Sequence, residues 1–158
     1  MKLIGIVGRK NGGKTTLTER LVTHLTAQGL RVSTLKRSHH RLDLDRPGTD
    51  SHRHRVAGAR QVMLVTDARL TMMEELPAPA ALDSLLARLA PCDVVLAEGW
   101  KSGTHFRIEA WRSACAAPPL CRDDPGIAAL ASDIPLDADR PHFDLNDIAA
   151  IAEFACST

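Results

Sequence analysis

The feature that most constrains the fold is a glycine-rich loop between an apolar segment and a segment with helical periodicity. Residues 3–7 read Leu-Ile-Gly-Ile-Val, and residues 8–15 read Gly-Arg-Lys-Asn-Gly-Gly-Lys-Thr, which fits the phosphate-loop pattern G-x-x-x-x-G-K-[ST]. Apolar residues then recur at the spacing of one helix face, namely Leu17, Leu21, Val22 and Leu25. A strand, a phosphate-binding loop and a helix in this order predict the opening unit of a parallel α/β sheet.

The segment after this unit predicts a second strand, a polar loop and a short helix. Gly29 is placed to end the first helix, and the apolar run Leu30–Leu35 follows at once. A strand reached through a helical crossover pairs in parallel with the first strand. Residues 36–50 are polar and predict a loop, followed by a helix that Thr49 or Asp50 would cap and Gly58 would end.

The remaining segments predict a hairpin, further strands and two helices. Gln61–Thr66 and Arg69–Glu74 are predicted to form an antiparallel hairpin, and Val94–Ala97 and Ile127–Ala131 to form strands. Helices are expected over Ala80–Leu89 and from about Asp147 to Phe154, the latter capped by Asp144 or Asn146. We therefore expect an α/β, P-loop NTPase-like three-layer fold, with a mostly parallel sheet and an antiparallel hairpin, in a single nucleotide-binding domain over residues 1–158.

The phosphate loop supplies the first set of candidate binding residues. Glycines let successive backbone N–H groups point at phosphate oxygens, and the start of the following helix adds its positive dipole end. Lys14 would reach the β- and γ-phosphates, and the hydroxyl of Thr15 would ligate Mg²⁺. The predicted nucleotide-binding residues are Gly8, Arg9, Lys10, Asn11, Gly12, Gly13, Lys14, Thr15 and Thr16.

Glu98 is the candidate acidic residue of the same site. It ends the apolar run Val94–Ala97, and in a parallel sheet that end emerges at the edge where the phosphate loop lies. The carboxylate could hold Mg²⁺, through a water molecule, or orient the attacking water, which makes Glu98 the one catalytic candidate. Asp93 precedes the strand and is expected at the opposite edge.

The distribution of charge predicts a basic surface beside this site. The net charge is only +1, yet residues 1–60 contain 13 Lys and Arg against 4 Asp and Glu. Lys36, Arg37, His39 and His40 follow the second predicted strand and so open at the same sheet edge. They could contact the nucleotide, a second anionic ligand or a partner subunit. A nucleic acid is not expected, because the chain has no extended basic tract with interleaved aromatic residues.

Composition and cysteine spacing exclude several other classes of protein. With 44% apolar and 25% charged residues, the chain is neither disordered nor collagen-like. Its apolar runs are too short for a signal peptide or a membrane span, so we expect a cytoplasmic protein. The four cysteines lack any Cys-x-x-Cys pair, which argues against a structural zinc site or a redox dithiol.

Several motifs together resemble those of the MobB family of GTP-binding adapters in molybdopterin-guanine dinucleotide biosynthesis. The most specific stretch is Lys36-x-x-His39-His40-x-x-Asp43-x-Asp45-x-Pro47-Gly48-x-Asp50-Ser51, followed by Arg55-x-Ala57-Gly58-Ala59. Further matches are Glu98-Gly99-Trp100-Lys101, Ala131-Ser132-Asp133 and Asp144-Leu145-Asn146-Asp147. Arg37 and Arg41 depart from the family, which commonly has a histidine and an acidic residue at these positions.

The resemblance implies a cytoplasmic homodimer that binds GTP with Mg²⁺, hydrolyses it slowly at most, and acts mainly as an adapter. It implies a MobA-type guanylyltransferase as partner, which attaches GMP to molybdopterin, and a molybdopterin-related molecule as a further candidate ligand. Lys36, Arg37, His39, His40, Asp50, Arg55 and Lys101 would form the second anion-binding or partner surface. GTP rather than ATP rests on the resemblance, because the usual guanine-reading Asn-Lys-x-Asp is absent. A metal-delivery GTPase and a small-molecule kinase remain alternatives.

Overall fold

The computed structural model describes residues 1–38, 43 and 45–157. Contacts divide the chain into two compact units, one formed by Met1–Ser38 with Leu89–Thr158 and the other by His39–Arg88. The first unit contains the phosphate loop and a six-stranded sheet, and the second contains a two-stranded hairpin.

Helices and strands alternate in the first part of the chain, and pairs of consecutive strands follow. In chain order they are β1 (Lys2–Val7), α1 (Lys14–Ala27), β2 (Val32–Lys36), α2 (Asp50–Val56), β3 (Gln61–Val65), β4 (Leu70–Glu74), α3 (Leu82–Leu86), β5 (Val94–Glu98), β6 (Phe106–Trp111), β7 (Ala129–Ser132), β8 (His142–Asp144) and α4 (Ile148–Ser157). A 3₁₀ turn at Leu120–Arg122 lies between β6 and β7.

The main sheet has the strand order β2-β5-β1-β6-β7-β8, and every neighbouring pair is parallel. Strand β1 is therefore flanked by β5 on one side and β6 on the other. The carboxyl ends of all three strands open at one edge, where ligands bind in sheets of this type. The prediction of a mostly parallel α/β sheet with an antiparallel hairpin is confirmed.

Alternate side chains of the strands build two hydrophobic clusters. The larger cluster packs α1, through Leu17, Leu21 and Leu25, and α4, through Ile151, against residues of the sheet such as Ile6. The smaller cluster contains Val7, Trp111, Cys121, Ile127 and Leu130. Since successive side chains of a strand point to opposite faces, the two clusters cover the two faces of the sheet. This packing fixes the strands whose ends form the site.

Strand β6 is absent from the sequence-based prediction, although its two charged residues alternate with apolar ones in the pattern of a half-buried strand. Both are buried, with Arg107 5% exposed and Glu109 0% exposed. Nη1 of Arg107 lies 2.7 Å from a carboxylate oxygen of Asp124, and the Glu109 carboxylate accepts hydrogen bonds from the backbone N–H groups of Leu120 and Cys121. Buried charges are tolerated when they are paired in this way.

Two helix predictions need correction at their ends. The third helix is shorter than the predicted Ala80–Leu89, and the last helix is capped by neither Asp144 nor Asn146. Instead, a carboxylate oxygen of Asp147 accepts a hydrogen bond from the N–H of Ala150 at 3.1 Å, which satisfies one of the free donors of the first turn. Asp144 caps the preceding turn, where it accepts from the N–H of Asn146.

The second unit contains the predicted hairpin, and its pairing is antiparallel as expected. One face of the hairpin consists of two cross-strand pairs, Met63 with Met72 and Val65 with Leu70, and all four side chains are exposed. Helix α2 begins after Thr49, whose hydroxyl accepts a hydrogen bond from the N–H of His52. Among the helices that the structure describes, none combines the length and apolar character needed to cross a membrane.

Candidate functional site

The phosphate loop follows β1 and is pressed against the backbone of β6. A Cβ atom on Gly8 would overlap the carbonyl oxygen of Ala110, and one on Gly12 would lie 2.7 Å from the same oxygen. Gly8 has a positive φ of 141°, and Asn11 occupies the left-handed region at 64°. Only glycine allows the backbone at positions 8 and 12 to approach Ala110 this closely, and this approach keeps the loop curled over the end of the sheet.

Lys14 begins α1 and folds back over the loop. Its Nζ donates a hydrogen bond of 2.6 Å to the carbonyl oxygen of Arg9. Burial lowers the pKa of Lys14, and the nearby cations Lys101 and Lys36 lower it further, whereas the Glu98 carboxylate acts in the opposite direction. The ammonium group is thus partly desolvated beside other cations, an environment in which a phosphate oxygen would stabilise its charged form.

Thr15, Glu98 and Lys36 form a contiguous polar cluster at the β5 side of the loop. The Thr15 hydroxyl donates a hydrogen bond of 3.0 Å to Oε1 of Glu98, and Nζ of Lys36 lies 3.3 Å from each of these two oxygens. Glu98 is 7% exposed, so its charge is held in a shielded position by these two partners. The cluster brings together residues from three distant segments of the sequence.

These residues fit a magnesium ion. A hydroxyl and a carboxylate are hard oxygen donors of the kind that Mg²⁺ binds together with substrate phosphates. The oxygen pair already attracts a cation, because the ammonium group of Lys36 lies at equal distance from both atoms. Thr15 and Glu98 would hold the ion, with Glu98 acting directly or through a water molecule.

Arg112 lies at the other side of the phosphate loop. It follows β6 directly and lines a cavity of about 370 Å³ together with Asn11, Gly13, Lys14, Thr15 and Thr16. Its Nε is buried and has no hydrogen-bond partner among the residues that the structure describes. Arg112 is not among the residues predicted from the sequence, because β6 was not predicted and only the position of that strand next to β1 brings Arg112 to the loop.

Other predicted residues are divided between the two units. Lys36, Arg37 and Lys101 lie in the first unit, and Arg37 is held at the sheet edge by its N–H, which donates to the carbonyl oxygen of Glu98 at 2.9 Å. His39 and His40 lie outside the described residues.

Asp50 and Arg55 belong to the second unit. Asp50 is exposed in the first turn of α2 and lies 3.8 Å from Arg53. The guanidinium group of Arg55 pairs with three carboxylates, those of Asp43, Asp45 and Glu75, at distances of 2.6, 3.4 and 3.2 Å. These contacts compensate its charge within the unit.

Asp93 lies at the opposite edge of the sheet, just before β5. Its carboxylate accepts hydrogen bonds from the side chain and the backbone N–H of Arg31, and these contacts hold the pKa of Asp93 below its ordinary value. This acid fastens the start of β5 to the segment before β2 and is separate from the candidate site.

Comparisons with known proteins show the family of the chain. The family model described as "Molybdopterin guanine dinucleotide synthesis protein B" (MobB) matches residues 3–133. The chain is 40% identical over 154 residues to the molybdopterin-guanine dinucleotide biosynthesis adapter protein of Haemophilus influenzae, covering 96% of this chain and 86% of that protein. It is 34% identical to the Escherichia coli adapter protein, covering 96% and 90% of the two chains.

The fold of the chain is also similar to that of a solved MobB structure. The crystal structure of a MobB protein homolog from Bacillus stearothermophilus is similar with a TM-score of 0.73 and 26% identity, over 100% of both chains. The family model covers most of the chain, the two adapter proteins cover nearly all of it, and the fold agrees throughout. On these grounds, the chain belongs to the MobB family.

Proposed function

We propose that this protein is a nucleotide-binding adapter in molybdopterin guanine dinucleotide biosynthesis. It binds GTP and Mg²⁺ at the phosphate loop and assists a MobA-type guanylyltransferase that attaches GMP to molybdopterin. Residues 1–158 form a single P-loop nucleotide-binding domain in this proposal, and the protein is cytoplasmic. The names of its relatives support the pathway, and the site supports the ligand.

The observation that carries the proposal is the meeting of the phosphate loop with Glu98. Lys14 and Thr15 on the loop supply an ammonium group and a hydroxyl, and Glu98 brings a shielded carboxylate to within 3.0 Å of that hydroxyl. A nucleoside triphosphate with its magnesium ion needs these three groups together. A loop that served only as a turn would not require the carboxylate.

The same site favours binding over rapid turnover. Among the residues that the structure describes, Glu98 is our candidate for orienting an attacking water, and it is already engaged by Thr15 and Lys36. Slow GTP hydrolysis follows, as suits an adapter that holds a nucleotide for its partner. Lys36, Arg37 and Lys101 would extend the basic surface toward the partner or toward a molybdopterin phosphate.

We also propose that the protein is a homodimer. The four exposed apolar side chains on one face of the hairpin, Met63, Val65, Leu70 and Met72, support this assembly. Contiguous apolar patches mark interaction sites. Two copies that share such a patch would form a self-complementary interface about a two-fold axis.

Calorimetric titration of GTP in the presence of Mg²⁺ tests the central proposal. The wild-type protein should bind GTP with one site per chain, and Lys14→Ala should weaken binding about 10- to 100-fold, since it removes a charge-assisted contact of about 1.5–3 kcal/mol. Arg122→Ala is the control, because it removes one positive charge from an exposed residue that does not line the cavity of the phosphate loop. Equal affinities for all three proteins would contradict the proposal.

The adapter role needs a second measurement. Formation of the guanine dinucleotide by the partner guanylyltransferase should increase when this protein is added with GTP, and Lys14→Ala should reduce that increase. The two alternative functions, a metal-delivery GTPase and a small-molecule kinase, find no support in the comparisons, whose names refer to molybdopterin guanine dinucleotide synthesis.

A further inference from the structure

Arg112 places its guanidinium group against Gly13 of the phosphate loop. Its Nε is buried, and within the part of the chain that the structure describes it forms no hydrogen bond. A buried donor that lacks an acceptor is costly, so such a group is expected to have a partner in the functional state. Arg112 also lines the cavity of the phosphate loop.

The approach of Arg112 to the loop depends on Gly13. Gly13 precedes α1 with φ of 93°, and a Cβ atom at this position would lie 3.0 Å from Nε of Arg112. Because Gly13 has no side chain, the guanidinium group of Arg112 can reach the first turn of α1. Free backbone N–H groups in that turn also favour an anion. A planar guanidinium group matches the oxygens of a phosphate with parallel hydrogen bonds.

The backbone that carries Arg112 is fixed on both sides. Strand β6 ends at Trp111, immediately before it, and is paired with β1 and β7. Ser113, immediately after it, donates hydrogen bonds to the Asp133 carboxylate from its backbone N–H at 2.7 Å and from its hydroxyl at 3.1 Å. The side chain thus projects from a rigid position, which reduces the entropy lost on binding a ligand.

The strand order decides which part of a nucleotide Arg112 meets. Glu98 ends β5 and Arg112 follows β6, and these strands flank β1 on opposite sides. The ion that bridges the β- and γ-phosphates belongs on the side of Thr15 and Glu98. The α-phosphate and the nucleoside then lie toward β6, where Thr16 and Arg112 line the cavity.

We propose that Arg112 binds the α-phosphate of the nucleotide, from the side of the loop opposite Glu98. This inference rests on the proposed function, because it assumes that the loop holds a guanine nucleotide. Arg112 would orient the bond between the α- and β-phosphates relative to the metal-binding side. Lys14 and Arg112 would then bind the phosphate chain at two separate points.

Binding of three nucleotides of decreasing length tests the proposal. Affinities for GTP, GDP and GMP are measured with Mg²⁺ by competition against a fluorescent guanine nucleotide, for wild-type protein, Arg112→Ala and Arg112→Lys. We expect Arg112→Ala to weaken all three about 10- to 100-fold, because all three contain the α-phosphate. Arg112→Lys should recover part of the loss, since it keeps the charge but not the planar fork.

The control is Arg122→Ala, which removes the same charge from an exposed residue of the 3₁₀ turn that does not line the cavity. It should bind all three nucleotides as wild type does. Thermal unfolding of each variant checks that the variant is folded. If Arg112→Ala does not fold, the affinities of Arg112→Lys provide the test.

The outcomes separate this inference from the proposed function. If Arg112→Ala lost affinity for GTP alone, Arg112 would lie at the γ-phosphate. If it lost affinity for GTP and GDP but not for GMP, Arg112 would lie at the β-phosphate. Either result overturns the inference. Unchanged affinity in Arg112→Ala, with a loss in Lys14→Ala, overturns the inference and leaves the proposed function standing. Failure of the wild-type protein to bind any guanine nucleotide overturns both.

Discussion

Glu109 accepts a hydrogen bond of 2.8 Å from the backbone N–H of Cys121, and the side chain that accepts it has no exposed surface. Its other carboxylate oxygen accepts an equally short hydrogen bond from the N–H of Leu120. One buried acid thus attaches the 3₁₀ turn to β6, the strand that bears against the phosphate loop. We expect these two hydrogen bonds to stabilise the protein.

Glu109→Gln should destabilise the protein by about 1–3 kcal/mol, because the amide offers one acceptor where the carboxylate offers two and leaves a buried N–H unpaired. The free energy of unfolding in urea measures the effect. Glu153→Gln, at an exposed position of α4, should change it by no more than about 0.5 kcal/mol. Equal stability of the two variants would show that the buried carboxylate is not needed.

Cys121 should make stability fall in alkaline solution. Burial and the neighbouring Glu109 carboxylate raise the pKa of its thiol from 9.0 to about 11. The unfolded chain therefore loses this proton first as the pH rises, so the contribution of Cys121 is complete below about pH 9 and is lost between pH 9 and 11.

The measurement is the free energy of unfolding of wild type minus that of Cys121→Ala across pH 8–11. This difference should decrease through the window. The same difference for Cys156→Ala, at an exposed cysteine, should stay flat. A flat difference for Cys121 as well would contradict the assignment.

Glu98→Gln should have opposite effects with and without magnesium. In EDTA the variant should bind GTP more tightly than wild type, because a negative charge beside the phosphates is gone. With Mg²⁺ it should bind more weakly, because the ion loses a carboxylate. We expect the ratio of Kd in EDTA to Kd in Mg²⁺ to fall by about tenfold, which corresponds to about 1.4 kcal/mol.

Calorimetric titrations under the two conditions provide this ratio for Glu98→Gln. The control is Glu153→Gln, whose ratio should equal that of wild type. If Glu98→Gln also kept the wild-type ratio, Glu98 would not belong to the magnesium site.

Leu70→Asp should convert the proposed dimer to monomers. The substitution places a charge within the exposed apolar face of the hairpin, where an interface would bury it without a partner. Sedimentation equilibrium should report the dimer mass for wild type and the monomer mass for the variant.

Thr71→Asp is the matched control, since Thr71 is exposed on the other face of the same strand. It should remain dimeric. A monomeric wild-type protein, or a dimeric Leu70→Asp variant, would contradict assembly through this face.

The sequence predicts the part of the site that depends on local patterns. The loop between β1 and α1 has a fixed spacing of glycines and Lys14, and Glu98 ends a uniformly apolar run. Both signals can be read within about ten residues. The meeting of Thr15 with Glu98 follows from the general rule that parallel strands end at a common edge.

The rest depends on pairings that no local pattern contains. Strand β6 has the alternation expected of a half-buried strand, yet both faces are covered and its polar residues are paired internally. Its insertion beside β1, before β7, is a property of the whole sheet. Without that placement, Arg112 is one of many arginines, and its role at the loop could not be predicted.

The central position of β1 also sets a length scale for the site. The strands that carry Glu98 and Arg112 are each one inter-strand spacing from β1, so their ends are separated by two spacings, or roughly 10 Å. Main-chain hydrogen bonds fix this separation, and no side-chain substitution can change it. Substitutions can therefore change the side chains at the two strand ends, while the distance between those ends stays constant.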